Sequence, residues 1–179
     1  MVSVGSAALC IPTHANGEIL QNRREVTLEC LGDKPGSRWL DGRTKDGTVG
    51  LVRRVCIKTL TGTKWRVSVA GNGIVRLQCR GNIDGPRWLD GRTKDGTVGL
   101  APNTSPPFTG TSWQVFEVGP NVVTLKCLGT LEGNRWLDGR TLDGTVGLAP
   151  NTNPPFTGTR WRVNSYPVCI DEPCPDCVG

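Results

Sequence analysis

The chain has little of what many catalytic sites need. Its 179 residues include one His, one Met, one Tyr and three Phe. A His-rich metal centre has no ligands to draw on. Ser–His–Asp or Cys–His chemistry would rest on His14 alone. No stretch approaches the roughly 20 apolar residues of a spanning helix, so no membrane span is expected. Met1–Leu9 is too short and too rich in Gly and Ser for an intact signal peptide. Basic residues are uneven: residues 1–80 carry 13 Lys/Arg against 6 Asp/Glu, and the remainder carry 8 against 10. No nucleic-acid reading motif accompanies them, so no nucleic-acid partner is expected.

What is present is Gly (24), Pro (13), Cys (8) and Trp (6). Gly and Pro at that level argue against a helical protein. Self-similarity organises the rest. Arg38–Leu51 and Arg87–Leu100 both read RWLDGRTKDGTVGL, and Arg135–Leu148 differs only at Leu142. Upstream stand VTLEC, VRLQC and VTLKC, ending at Cys30, Cys79 and Cys127. Downstream stand TGTKWRV, TGTSWQV and TGTRWRV, centred on Trp65, Trp113 and Trp161. A single domain over 1–179 is expected, with a tail at 1–22, repeats at 23–71, 72–120 and 121–166, and a Cys-rich tail at 167–179.

Each repeat reads as four strands. V-x-L-x-C alternates apolar and polar residues. Asp-Gly supplies a hairpin turn between W-L-D-G-R and T-V-G-L. G-T-x-W-x-V is the fourth strand. Twelve strands in three units resemble a β-trefoil: an all-β fold of three four-stranded repeats with pseudo-threefold symmetry. That resemblance implies six barrel strands and three capping hairpins. The run L-D-x-x-x-x-D-G-T-x-x-x-L, with a Trp about 25 residues after the first, is similar to the ricin-B-type lectin repeat. That similarity implies sugar binding through an Asp near the start of the second strand, matched by Asp41, Asp90 and Asp138. The chain departs from the family in having Trp39, Trp88 and Trp136 where the family has Cys.

Side-chain alternation puts Trp39, Asp41 and Arg43 on one face, as it does Trp88, Asp90, Arg92 and Trp136, Asp138, Arg140. An indole stacks on a pyranose, a carboxylate accepts bonds from hydroxyl pairs, and a guanidinium donates as a fork. The competing structural reading has Asp41 bonding its own turn, Arg43 pairing with Asp46, and the Trp covering the hairpins. The second tryptophan set, Trp65, Trp113 and Trp161, is expected in the core.

The cysteines fall into two groups. Cys30, Cys79 and Cys127 follow V-x-L in register and should be a buried thiol layer. They lack a fourth ligand, so no metal is expected, and no cofactor. Cys10, Cys56, Cys169, Cys174 and Cys177 lie outside the repeat and are candidates for disulfides stapling the tails, which suits a secreted protein. Asn103 opens an N-x-S sequon. The first repeat breaks symmetry at Val52–Leu60, which carries Arg53, Arg54 and Lys58. By fold analogy with Kunitz-type trefoil inhibitors, these could enter a serine proteinase.

The leading expectation is a secreted, non-enzymatic, lectin-like protein with up to three weak subsites for glycans or glycoproteins. The alternatives are a proteinase inhibitor acting through 52–60, and a structural or defence protein without a ligand. No enzyme is expected, because no paired carboxylates stand in a non-repeated segment.

Overall fold

The computed structural model describes residues 18–21, 25–53 and 60–165. The V-x-L-x-C segments form β1 (Glu25–Cys30), β5 (Ile74–Cys79) and β9 (Val122–Cys127). The W-L-D-G-R segments form β2 (Trp39–Arg43), β6 (Trp88–Arg92) and β10 (Trp136–Arg140). Their hairpin partners are β3 (Thr48–Val52), β7 (Thr97–Ala101) and β11 (Thr145–Ala149). The last strand of each set is β4 (Trp65–Gly71), β8 (Trp113–Gly119) and β12 (Trp161–Ser165). A one-turn 3-10 helix, Thr61–Thr63, Thr109–Thr111 or Thr157–Thr159, precedes each of them. One short helix, α1 (Glu18–Gln21), buries Ile19 and Leu20.

The hairpin turns follow from their Asp-Gly pairs. Gly47, Gly96 and Gly144 have φ of 74°, 73° and 75°, a left-handed conformation that suits glycine. Asp46, Asp95 and Asp143 each accept two bonds, from the N–H and hydroxyl of Thr48, Thr97 and Thr145. These acids, and not Asp41 and its equivalents, fill the role of turn formers.

All strand pairings are antiparallel. Ten strands close in the order β3–β2–β1–β12–β9–β8–β5–β6–β7–β11 and back to β3. Outside that ring, β4 pairs with β1 and β5, and β10 pairs with β9 and β11. Through β4 a shorter circuit, β1–β4–β5–β8–β9–β12, also closes.

The β-trefoil expected from the sequence, with three four-stranded repeats as a barrel and a separate cap, is corrected by this pairing. The chain forms a closed ten-strand antiparallel barrel with two strands outside. The physical reason is edge closure. The hairpins do not stand apart from the wall. They join one another at Thr48↔Gly99, Thr97↔Gly147 and Gly50↔Thr145. They join the wall at Glu29↔Trp39, Gln78↔Trp88 and Lys126↔Trp136.

The sequence repeat persists as recurring local bonds. Trp65, Trp113 and Trp161 are fully buried, and their indole N–H groups donate to the carbonyls of Leu40, Leu89 and Leu137, each at 3.0 Å. The indoles thus bury large apolar surfaces with their one polar atom satisfied. Cys30, Cys79 and Cys127 are fully buried free thiols. They sit under the hairpins, with Cys79 donating to Gly42 O at 3.3 Å, Cys127 to Gly91 O at 3.4 Å and Cys30 to Gly139 O at 3.3 Å. Burial pushes all three thiols up, Cys30 to about 11. The disulfide candidates Cys10, Cys56, Cys169, Cys174 and Cys177 lie outside the described residues.

Candidate functional site

Strand β2 and its equivalents put Leu40, Leu89 and Leu137 into the core. The opposite face carries Asp41, Asp90 and Asp138, which are 7%, 7% and 8% exposed. Burying an acid this deeply needs a neighbour that fits against it. That neighbour is the glycine of each Thr-Gly-Thr turn. A Cβ on Gly62 would lie 2.5 Å from Asp41 Oδ1, and one on Gly110 or Gly158 would lie 2.8 Å from Asp90 or Asp138 Oδ1. The turn itself is closed by Thr63, Thr111 and Thr159, whose hydroxyls donate to Leu60, Phe108 and Phe156 carbonyls at 2.8, 3.1 and 2.9 Å. The Asp floor and the Thr-Gly-Thr wall are therefore one packed unit.

Two clefts open over these acids. The cleft at Asp90 has a volume of about 240 Å³ and is lined by Arg92, Lys94, Pro107, Thr109 and Leu131 among others. The cleft at Asp138 has about 330 Å³ and is lined by Arg140, Leu142, Pro155, Thr157, Asp33 and Lys34. Each is built across a repeat boundary. Thr93 donates to Leu131 O at 2.6 Å, and Thr141 donates to Lys34 O at 2.7 Å, tying each hairpin to the next repeat's loop. Thr44 makes the same bond to Ile83 O at 2.6 Å beside Asp41. Residues 54–59, which precede the Thr-Gly-Thr turn beside Asp41, lie outside the described residues.

Desolvation raises the carboxyls of Asp41, Asp90 and Asp138 above the ordinary range, and the guanidinium of Arg43, Arg92 or Arg140 partly offsets it. Asp90 also accepts a bond from the Gly110 backbone. Arg43 Nε stands 4.0 Å from Asp41 Oδ2, the one ion pair it makes among the described residues. Each cleft holds a second acid, Asp95 beside Asp90 and Asp33 beside Asp138. Asp33 Oδ1 accepts the Thr157 hydroxyl at 2.8 Å, and that bond, with Lys34 at 3.6 Å, holds its carboxyl below the usual range.

The expected Trp–Asp–Arg trio is thus only partly brought together. Asp90 with Arg92, and Asp138 with Arg140, line one cleft each. Neither Trp88 nor Trp136 lines its cleft. The Trp136 ring lies 5.4 Å from the Phe116 ring, with Lys126 Nζ 5.6 Å above it. Trp39 and Trp88 are half-buried at the start of their strands.

The rim residues were missed in sequence. Asp33, Lys34 and Leu131 belong to loops distant in the chain from the acids they flank. Their signal is divergence: Lys34, Ile83 and Leu131 are equivalent positions, as are Asp33, Asn82 and Thr130, within otherwise repeated segments. Of the other expected residues, Arg53 is exposed, and Arg54 and Lys58 lie outside the described residues. Asn103 is exposed in a loop, and its Oδ1 accepts the Ser105 N–H at 3.0 Å. No group of three or more His, Cys, Asp or Glu among the described residues is placed to hold a metal ion. No helix among them is long and apolar enough to cross a membrane.

No family model matches the chain, and no curated protein matches it. Among solved structures, a salivary protein from Culex quiquefasciatus that belongs to the Cysteine and Tryptophan-Rich (CWRC) family is similar. The two are 18% identical, the match covers 80% of this chain and 94% of that chain, and the TM-score is 0.57. This likeness concerns the fold. It corrects the resemblance to ricin-B-type lectin trefoils drawn from the hairpin motif, because the structural neighbour is a CWRC protein.

Proposed function

We propose that the protein is a secreted, non-enzymatic binder of saccharides, holding one sugar ring in each repeated cleft. The observation that carries this reading is the recurrence of a desolvated acid beside an arginine and a threonine in two separate clefts. Asp90, Arg92 and Thr109 form one set, and Asp138, Arg140 and Thr157 form the other. A carboxylate accepts from two vicinal hydroxyls, the guanidinium donates to ring or hydroxyl oxygens, and the threonine does either. The acids are buried against their own desolvation cost, which is the mark of a site more than of a structural device. The clefts stand near or below the roughly 300–1,000 Å³ of ligand pockets, which suits a single ring. Without an indole in the cleft, each site is weak, and repeated sites act through avidity on multivalent glycans. Secretion accords with the salivary origin of the structural neighbour.

A glycan array on the wild type and on a D41N/D90N/D138N variant tests the proposal. Glycan binding by the wild type, lost in a folded triple variant, is the expected result. Binding to no glycan, or unchanged binding by the variant, would refute it.

A further inference from the structure

The second repeat departs from the other two at one cross-strand position. Arg76 on β5 stands where β1 has Thr27 and β9 has Thr124, both of them buried. One step beyond the Val75↔Trp113 pair lies Ser112, where the other repeats have Lys64 and Arg160. Cation and hydroxyl have changed places across the ladder. In the first repeat the cation has an acid to meet, since Lys64 Nζ is 2.6 Å from Glu25 Oε2. The residue equivalent to Glu25 in the second repeat is Ile74. Arg76 Nε is buried and has no hydrogen-bond partner among the described residues.

Arg76 lines a hollow of about 430 Å³ beside Thr104, Pro106 and Phe108, which shares only Thr109 with the lining of the cleft at Asp90. Its wall offers the hydroxyls of Thr104, Ser112 and Thr130, together with the ring of Phe108. No acidic residue lines it. A guanidinium beside hydroxyl-bearing residues and free of carboxylates is complementary to an oxyanion. Phe108 adds an apolar face for whatever carries the anion.

We infer that this hollow is an oxyanion site, distinct from the acid-floored clefts, which takes the sulfate or phosphate group of a small ligand. The site occurs only where Arg76 stands, since the other two repeats have threonine at that position, and it does not depend on the saccharide reading. The test is a titration of the 15N-labelled full chain followed by amide chemical shifts, at constant ionic strength set with sodium chloride. Sodium sulfate, sodium phosphate, glucose 6-sulfate and glucose are the probes. Saturable shifts at Thr104, Phe108, Ser112 and Thr130 are expected with the oxyanions and not with chloride or glucose. Tighter binding of glucose 6-sulfate than of sulfate assigns an ester as the ligand, and the reverse order assigns the free ion. Arg76→Thr installs the residue of the other two repeats, so its fold is preserved, and it should weaken binding at least tenfold. Arg76→Lys keeps the charge without the fork and should fall between. Absence of saturable shifts in the wild type, or equal shifts in Arg76→Thr, overturns the inference.

Discussion

The clefts at Asp90 and Asp138 share a floor and differ at the rim. Each floor is an acid, an arginine two residues on, and a Thr-Gly-Thr turn with no room for a side chain on its glycine. Each rim has one lysine and one leucine, but their places are exchanged. At Asp90 the hairpin supplies Lys94 and the neighbouring loop supplies Leu131. At Asp138 the hairpin supplies Leu142 and the neighbouring loop supplies Lys34. The second acid is exchanged as well: the hairpin supplies Asp95 at Asp90, and the neighbouring loop supplies Asp33 at Asp138. The floor is held by core packing, so every repeat keeps it. The rim side chains are exposed and hold no packing role, so they vary while keeping one cation and one aliphatic side chain. The two clefts thus present the same chemistry to a ligand in opposite orientations.

The comparison can be broken most forcefully from beneath. Trp113 and Trp161 are the indoles below the two floors, and each donates to the leucine carbonyl preceding its acid. Trp113→Ala and Trp161→Ala should each cost about 3–5 kcal/mol in denaturant unfolding. The two costs should agree within about 1 kcal/mol, given the roughly twofold context dependence of such values. A large inequality would show that the floors are not equivalent. Next come the turn glycines. An alanine at Gly110 or Gly158 would drive its Cβ into the Gly91 or Gly139 carbonyl. Overpacking of this kind costs about 1–3 kcal/mol. It should abolish saccharide binding in its own cleft and leave the other intact, as read by amide shifts.

The acids separate binding from stability. Their carboxyls are raised by desolvation, so the folded chain holds these protons more tightly than the unfolded chain does. Between the unfolded and folded pKa values the native state carries more protons, so stability falls as pH rises through that window. At neutral pH, Asp90→Asn and Asp138→Asn should therefore leave the melting temperature unchanged or raise it. Each should weaken binding in its own cleft at least tenfold, about 1.4 kcal/mol. Binding by the wild type should also weaken in acid, beginning above the ordinary carboxylate range, as the floor acids protonate. Asp33, held low by Thr157, should still be ionised when Asp138 is not.

The smallest effects belong to the rim. Exchanging Leu142→Lys together with Lys34→Leu gives the cleft at Asp138 the rim order of the cleft at Asp90. Only a few-fold change in affinity is expected, since these side chains are solvated and screened. The informative readout is the preferred ligand: the two clefts should rank a panel of monosaccharides more alike after the exchange than before it.

The repeat made much of this legible. The positions of the strands, the Asp-Gly turns, the core indoles and the three buried thiols follow from residue spacing, because period-2 alternation and turn chemistry are local. The path of closure was not legible. The hairpins pair with one another through Thr48, Thr97, Thr145 and their glycine partners, and neither residue type announces a long-range edge contact. At the site, Asp and Arg were found because they repeat. Trp39, Trp88 and Trp136 were grouped with them because a flat strand would place all three residues on one face. Trp136 instead packs on Phe116, which stands on a strand that the alternation pattern of its own segment does not point to. Asp33, Lys34 and Leu131 escaped because they reach the clefts from another repeat.

The central claim is that Asp90 and Asp138 floor two independent saccharide sites. The direct measurement is a 15N amide-shift titration of the wild type, Asp90→Asn and Asp138→Asn with a saccharide identified on the array. Two sets of saturable shifts should appear in the wild type, one around Gly110 and Leu131 and one around Gly158 and Lys34. Each variant should lose its own set and keep the other, with no loss of melting temperature. Shifts that avoid both clefts, or that survive in the matching variant, would contradict the account.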